Sequence, residues 1–213
     1  MAEKRPLYLK RIIAAFIIAT LIFIGGFLTS YIVSYSKYQS ISISQEKLRY
    51  NLLNLDLEQK LMIDSCELFD IYLLSDELSR MGNIIGILEE RFGKLDSKVI
   101  EQKKIYTSLE VQHLLFIEEY NKKCNKSITT ILFFYSNQEE FADDAEKIGY
   151  ILSSLKTQEK EVMIYSFDYD LVGSNLINLL KKKYNLTNPN IIIINGVNKI
   201  ENLQNIEEIK AIL

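Results

Sequence analysis

Few residues in this sequence could carry out covalent chemistry, and they lie far apart. There are two cysteines, Cys66 and Cys124, and one histidine, His113. Thiol–disulfide exchange needs a thiolate, commonly from a Cys-x-x-Cys pair at a helix start, and the cysteines here do not have that spacing. His113 has no cluster of cysteines or carboxylates beside it, which favours a structural role. With no nucleophile–base pair or phosphate-binding loop, an enzyme is the least favoured class, and no cofactor is predicted.

An uncharged apolar run from Ile12 to Val33 is long enough to cross a bilayer. At about 1.5 Å per residue, a helix of this length spans the roughly 30 Å hydrocarbon core. A signal peptide is the alternative, but its apolar region is about 7–15 residues long and ends at a small-residue cleavage site, for which this sequence is poor. Basic residues crowd residues 1–11, which places the N-terminus in the cytoplasm and residues 36–213 outside it. We predict a single-pass anchor at residues 12–33 and a linker at residues 34–44.

Residues 45–125 have the apolar spacing of helices, with steps of three, four and seven residues. Gly93 suits a position just beyond a helix end, and Asp96 or Ser97 suits a helix cap. The region therefore predicts an antiparallel helical hairpin with its turn near residues 93–96. An apolar stripe left exposed on it would provide a surface for homo-oligomer formation.

The register that matches the two apolar stripes also brings Cys66 opposite Cys124. Outside the cytoplasm two facing cysteines are expected to form a disulfide. Closing so long a loop would contribute about 4–5 kcal/mol in the chain-entropy model. Two buried free thiols acting as small apolar side chains are the alternative. The periodicity places Cys66 in the middle of a helix, where a catalytic cysteine is not expected.

Residues 126–213 alternate between β-branched or aromatic runs and amphipathic helical segments, in the order β-α-β-α-β-β-α. The first two strands are expected to be parallel and joined by a right-handed crossover, and the last two to form a hairpin. The predicted fold class is therefore an α/β distal domain preceded by an all-α helical hairpin and one N-terminal transmembrane helix.

This distal domain resembles the thioredoxin fold. Phe133–Ser136 is similar to the end of the first thioredoxin strand, and Asn188–Gly196 is similar to the proline-strand-glycine segment before the final hairpin. In that family the proline is cis and faces the active site, and Pro189 occupies the matching position. The whole chain also resembles membrane-anchored, thioredoxin-like proteins of archaea. The resemblance implies a peptide-binding groove formed by Phe141, Asn188, Pro189 and Asn190.

The chain departs from the family at the position of the redox motif. Residues 139–144 read EEFADD and contain neither a sulfur nor a hydroxyl, so the resemblance implies a redox-inactive member. The four carboxylates stand in the first turns of a helix, where the helix dipole favours each by about 0.3–1 kcal/mol. No calcium-loop pattern accompanies them, and no metal site is predicted. Asp168 and Asp170 follow the second strand, at the edge where open α/β sheets bind ligands, and they also suit capping of the next helix.

The charge pattern and two sequons complete the sequence-based expectations. The net charge of −3 and the interspersed signs argue against a nucleic-acid partner. Asn125 and Asn185 begin N-x-S/T sequons in predicted loops. They are either glycosylation sites or chance occurrences in an asparagine-rich chain. The favoured function is a membrane-anchored extracytoplasmic module that binds a protein or peptide. A structural envelope component acting through its hairpin is the alternative, and an enzyme of unknown type is the third.

Overall fold

The computed structural model describes residues 9–31, 66, 71–159 and 161–213. The chain divides into two compact units, Met1–Leu57 and Glu58–Leu213. In the first unit, helix α1 (Leu9–Tyr31) has a mean hydropathy of 2.6 and is long and apolar enough to cross a membrane. A membrane span and a signal anchor share these properties, and α1 covers most of the predicted anchor. The predicted linker at residues 34–44 lies outside the described residues.

The described part of the second unit contains five helices and four strands. In chain order they are α2 (Ile71–Phe92), α3 (Ser97–Cys124), β1 (Thr129–Tyr135), α4 (Glu139–Gln158), β2 (Val162–Asp168), α5 (Asn175–Lys183), β3 (Ile191–Ile194), β4 (Asn198–Glu201) and α6 (Glu207–Lys210). The predicted order from β1 onward is confirmed. Helix α5 begins at Asn175 because Gly173, at φ +69°, interrupts the helical path. The hydroxyl of Ser174 caps the helix by accepting from the amide of Ile177.

The four strands form one mixed sheet with the order β2-β1-β3-β4. Strands β1 and β2 are parallel, as predicted, and Phe133 of β1 lies opposite Ser166 of β2. Strand β3 runs antiparallel to β1, with Ile192 opposite Phe133, and β3 pairs antiparallel with β4 as the expected hairpin. The result is an α/β arrangement in which β2 and β4 are the outer strands.

Helices cover both faces of this sheet. On one face α3 and α5 pack on the strands through Leu114, Ile117, Tyr120, Ile177, Leu180, Leu132, Phe134, Tyr165 and Phe167. On the other face the contacts of α4 and α6 involve Ile148, Leu152, Leu155, Ile209, Ile131, Phe133, Ile192 and Ile194. Alternate residues of β1 thus enter different cores, and each large apolar side chain buried there contributes about 1.5–3 kcal/mol.

The helical hairpin has its turn where the sequence predicted it. Helix α2 ends at Phe92, Gly93 follows at φ +88°, and the carboxylate of Asp96 caps α3 by accepting from the amide of Lys98 at 2.9 Å. Helix α3 lies between α2 and the sheet, so it is buried over a wider face than its apolar stripe predicts.

Cys66 and Cys124 form a disulfide with Cα atoms 5.5 Å apart, which confirms the predicted pairing. The prediction that Cys66 lies in the middle of a helix is wrong. Its φ is +51°, which a right-handed helix does not allow, and α2 begins only at Ile71. The rest of the predicted helix between residues 45 and 70 lies outside the described residues.

Candidate functional site

A cleft of about 610 Å³ lies between α2 and α4. Small residues at helical spacing form both walls: Ser79, Gly82 and Gly86 on α2, and Ala142, Ala145, Gly149 and Ser153 on α4. A Cβ atom placed at Gly86 or Gly149 would meet nothing within 4 Å. Open space therefore separates the two helix faces, and we call it the α2–α4 cleft.

The floor of the cleft is built from α3 and from the ends of β1 and β2. Lys103, Tyr106 and Thr107 line it from α3, and Tyr135 and Ser166 line it from the sheet. At one end, which we call the foot, Lys156 Nζ donates to Ser79 Oγ at 2.6 Å and connects α4 to α2. The other end, which we call the head, lies where β1 and β2 finish.

The head contains a buried cluster of charges. Lys103 Nζ lies 2.6 Å from Asp168 Oδ2 and forms a second ion pair with Glu89. The Glu89 oxygen is close to the ammonium group but poorly aligned for a hydrogen bond. Asn137 Nδ2 also donates to Asp168 Oδ2, at 3.2 Å. Two carboxylates against one ammonium leave the head with a net negative charge.

Glu110, on α3 behind the floor, closes the outer edge of β2. Its side chain is fully buried, and its Oε1 accepts from the backbone amide of Ser166 at 2.7 Å. Burial raises the pKa of Glu110 well above its usual range, while the hydrogen bond from the Ser166 amide and the nearby Tyr106 hydroxyl act in the opposite direction. The carboxyl group thus supplies the hydrogen-bond acceptor that a neighbouring strand would otherwise provide.

Two tyrosines of the sheet have raised pKa values, Tyr135 at the floor of the cleft and Tyr165 in the core. Burial, followed by the negative charges of Asp168, Glu89 and Glu110, raises the pKa of Tyr135 well above its usual range. The Tyr165 hydroxyl lies 3.0 Å from His113 Nδ1 in the core, away from the cleft. These tyrosines are neutral hydrogen-bonding groups at neutral pH.

The structure brings together part of the predicted peptide groove. Asn190 Nδ2 donates to the carbonyl of Phe141 at 2.8 Å, and the Asn190 side-chain oxygen accepts from the amide of Ser136. Asn190 is buried and holds the end of β1 against the start of α4, whereas Phe141 and Pro189 are half-buried and Asn188 is exposed.

The expectation of a cis proline is wrong, because the described residues contain no cis peptide bond. The chain enters β3 after Pro189 through Asn190, which has a left-handed φ of +59°. Asparagine tolerates this conformation better than most residues, and its side-chain hydrogen bonds hold it there.

The segment 139–144, at the start of α4, borders the cleft. Helix α4 begins at Glu139, which is exposed, and Ala142 lies one turn along it in the cleft wall. Asp144 is exposed and pairs with Lys147 at 3.1 Å. Within the described ranges no group of three or more potential ligand side chains is placed to hold a metal. The sequon residues Asn125 and Asn185 are both exposed in turns.

The α2–α4 cleft and its charged head were not predicted from the sequence. The charged residues look like solvated helix positions until α3 is placed against the sheet. One signal was available, since Gly82 and Gly86 recur at the same spacing as Ala145 and Gly149.

Comparisons of the chain with protein-family models, with curated proteins and with solved structures found no match. The class of protein is therefore defined by the chain's own residues. Its described residues include one candidate membrane span and an α/β unit that holds an open, charged cleft.

Proposed function

We propose that this chain is a single-pass, membrane-anchored extracytoplasmic protein that binds a peptide segment of a partner protein in the α2–α4 cleft. Its distal domain would be thioredoxin-like but without redox activity. The observation that carries this proposal is the open space between two helix faces of small residues. Protein interiors are close-packed, and a cleft of about 610 Å³ falls within the usual size of ligand sites.

The sheet supports the resemblance on which the domain assignment rests. The strand order β2-β1-β3-β4 and the helices on both faces are compatible with the expected β-α-β-α-β-β-α arrangement. The head of the cleft lies at the carboxyl ends of β1 and β2, where open α/β folds bind ligands. Residues 139–144 contain no sulfur, so thiol–disulfide exchange has no nucleophile there.

Site-specific photocrosslinking in native membranes tests this proposal. A photoreactive amino acid at Gly86 of the full chain should crosslink to a partner protein, because that position opens onto the cleft. The same group at Leu179, an exposed position on α5, is the matched control. Adding Gly149→Leu should fill the cleft and abolish the Gly86 crosslink. Equal crosslinking from both positions, or a crosslink that survives the filled cleft, would contradict the proposal.

The anchor is tested separately by the mass of the native protein. A retained transmembrane helix gives the intact chain in the membrane fraction. A mature chain beginning near residue 36 would show instead that residues 12–33 belong to a cleaved signal peptide.

One observation favours the alternative of a structural component that acts through the hairpin. Ile87, Phe92 and Leu95 are 62%, 56% and 82% exposed near the hairpin turn. Large exposed apolar side chains that lie close together are typical of contact surfaces. A photocrosslinker at Leu95 that joins two copies of the chain would support this alternative and the expected homo-oligomer.

A further inference from the structure

The charges that line the α2–α4 cleft are unequally accessible. Lys103 contributes the ammonium group of the head, but its side chain is only 4% exposed. The side chains of its partners Glu89 and Asp168 are 16% and 10% exposed. A group entering the head therefore meets the side chains of Glu89 and Asp168 before it meets the ammonium group.

The remaining lining charges are equal in number, two carboxylates and two ammonium groups, but they are placed unequally along the cleft. Asp143 and Glu146 also line the cleft on the α4 wall. Lys156 lies at the foot, where it donates to Ser79. Of the lining residues outside the ion cluster, only Lys94 adds positive charge near the hairpin turn. The head of the cleft is thus favourable for a cation and unfavourable for an anion.

We infer that the head of the cleft takes a basic side chain, Arg or Lys, of the bound peptide, with Glu89 as its principal partner. This inference rests on the proposed function, since it names the part of the partner that the cleft recognises. A guanidinium or ammonium group would donate to the carboxylates there and offset the negative charge that Lys103 leaves uncompensated.

Two other occupants fit the head less well. An anionic group would approach two carboxylates with the single ammonium covered. A divalent metal ion requires several converging oxygen ligands, and the described residues offer no group of three or more placed to hold one.

Binding of four capped pentapeptides to the full chain in nanodiscs tests the inference. The peptides share the sequence Ala-Ala-X-Ala-Ala, where X is Arg, Lys, norleucine or Glu. Norleucine keeps the aliphatic length of Lys and removes its charge. The Arg and Lys peptides should bind roughly tenfold or more tightly than the norleucine peptide, as expected for a hydrogen bond between charged groups. The Glu peptide should bind most weakly.

Glu89→Gln should remove most of this preference, and Glu90→Gln is the matched control because Glu90 is exposed and does not line the cleft. A second measurement needs no variant, since the preference of the native chain should fall as salt rises. Equal affinity for the Lys and norleucine peptides, equal effects of both substitutions, or no binding of any peptide would overturn the inference. A cleft-dependent crosslink from Gly86 would still support the proposed function in those cases.

Discussion

The buried carboxyl group of Glu110 makes the stability of the second unit depend on pH. In the unfolded chain this group ionises near pH 4.3, as an ordinary glutamate does. In the folded chain burial raises its pKa, so the folded state keeps the proton to higher pH. Between the two pKa values the folded state binds more protons than the unfolded state, and stability falls as pH rises. For one group the slope can reach about 1.4 kcal/mol per pH unit.

Glu110→Gln isolates this contribution. The amide oxygen of glutamine can still accept from the Ser166 backbone amide, now 2.7 Å from Glu110 Oε1, but the side chain cannot ionise. We expect the variant to gain stability over the native chain as pH rises from 5 to 8. The gain should stop growing above the folded pKa of Glu110, where both states are ionised.

Urea unfolding at a series of pH values measures the effect, with the near-ultraviolet signal of the buried tyrosines as the probe. Glu101→Gln, on an exposed position of α3, should leave the pH profile unchanged. Glu110→Leu should be destabilised at every pH, because the Ser166 amide loses its acceptor. Parallel profiles for Glu110→Gln and the native chain between pH 5 and 8 would refute the argument from burial.

Three further predictions concern the ion cluster, the cleft walls and the disulfide. Lys103→Met should lower the free energy of unfolding by about 3–5 kcal/mol, because it leaves the buried Asp168 and the half-buried Glu89 without a counter-charge. A loss below about 1 kcal/mol would contradict that account. Gly86→Ala should raise stability by about 0.5–1 kcal/mol. Gly82→Ala should raise it less, because its Cβ would lie 3.2 Å from a tyrosine hydroxyl. Equal shifts in melting temperature for the two variants would argue against the described wall. Replacing Cys66 or Cys124 with Ser should lower stability by about 2–4 kcal/mol. A non-reducing peptide map in which both cysteines of the native chain are alkylated would contradict the disulfide.

The sequence predicted the features that short stretches of chain encode. The β-branched and aromatic runs gave β1, β2 and β3, because buried strands need such residues on both faces. Gly93 and Asp96 marked the hairpin turn. Gly93 allows the left-handed backbone angle after α2, and Asp96 caps the start of α3. Matching two apolar stripes also paired the cysteines, although Cys66 itself does not lie in a helix.

The predictions that were wrong depended on local backbone angles, which apolar periodicity does not record. Cys66 follows the helical spacing, yet its left-handed φ removes it from a right-handed helix. The expectation of a cis bond before Pro189 came from a resemblance, and the hydrogen bonds of Asn190 hold a different turn. The Asn190 side chain contacts residues 49 and 54 positions away in the chain, which local periodicity does not record.

The α2–α4 cleft was missed because it is a product of packing between distant elements. Nothing near Lys103 in the sequence indicates Asp168, which lies at the end of β2 and becomes its partner only when α3 covers the sheet. The role of Glu110 likewise becomes visible only when its carboxyl group accepts from the Ser166 amide at the outer edge of β2. A charged residue on a helix is usually solvated, so the sequence alone favours that interpretation.

The charges around the head also determine how well a thiolate would be stabilised at this end of the sheet. A reactive thiolate is stabilised by positive neighbours and by a helix N-terminus. Helix α4 supplies the N-terminus, but it carries Glu139 and Glu140 in its first turn, and the ammonium group of Lys103 is already shared between two carboxylates. These surroundings would disfavour a thiolate even if cysteines stood there. The same negative charge favours a bound cation, which agrees with the proposed binding of a basic side chain at the head.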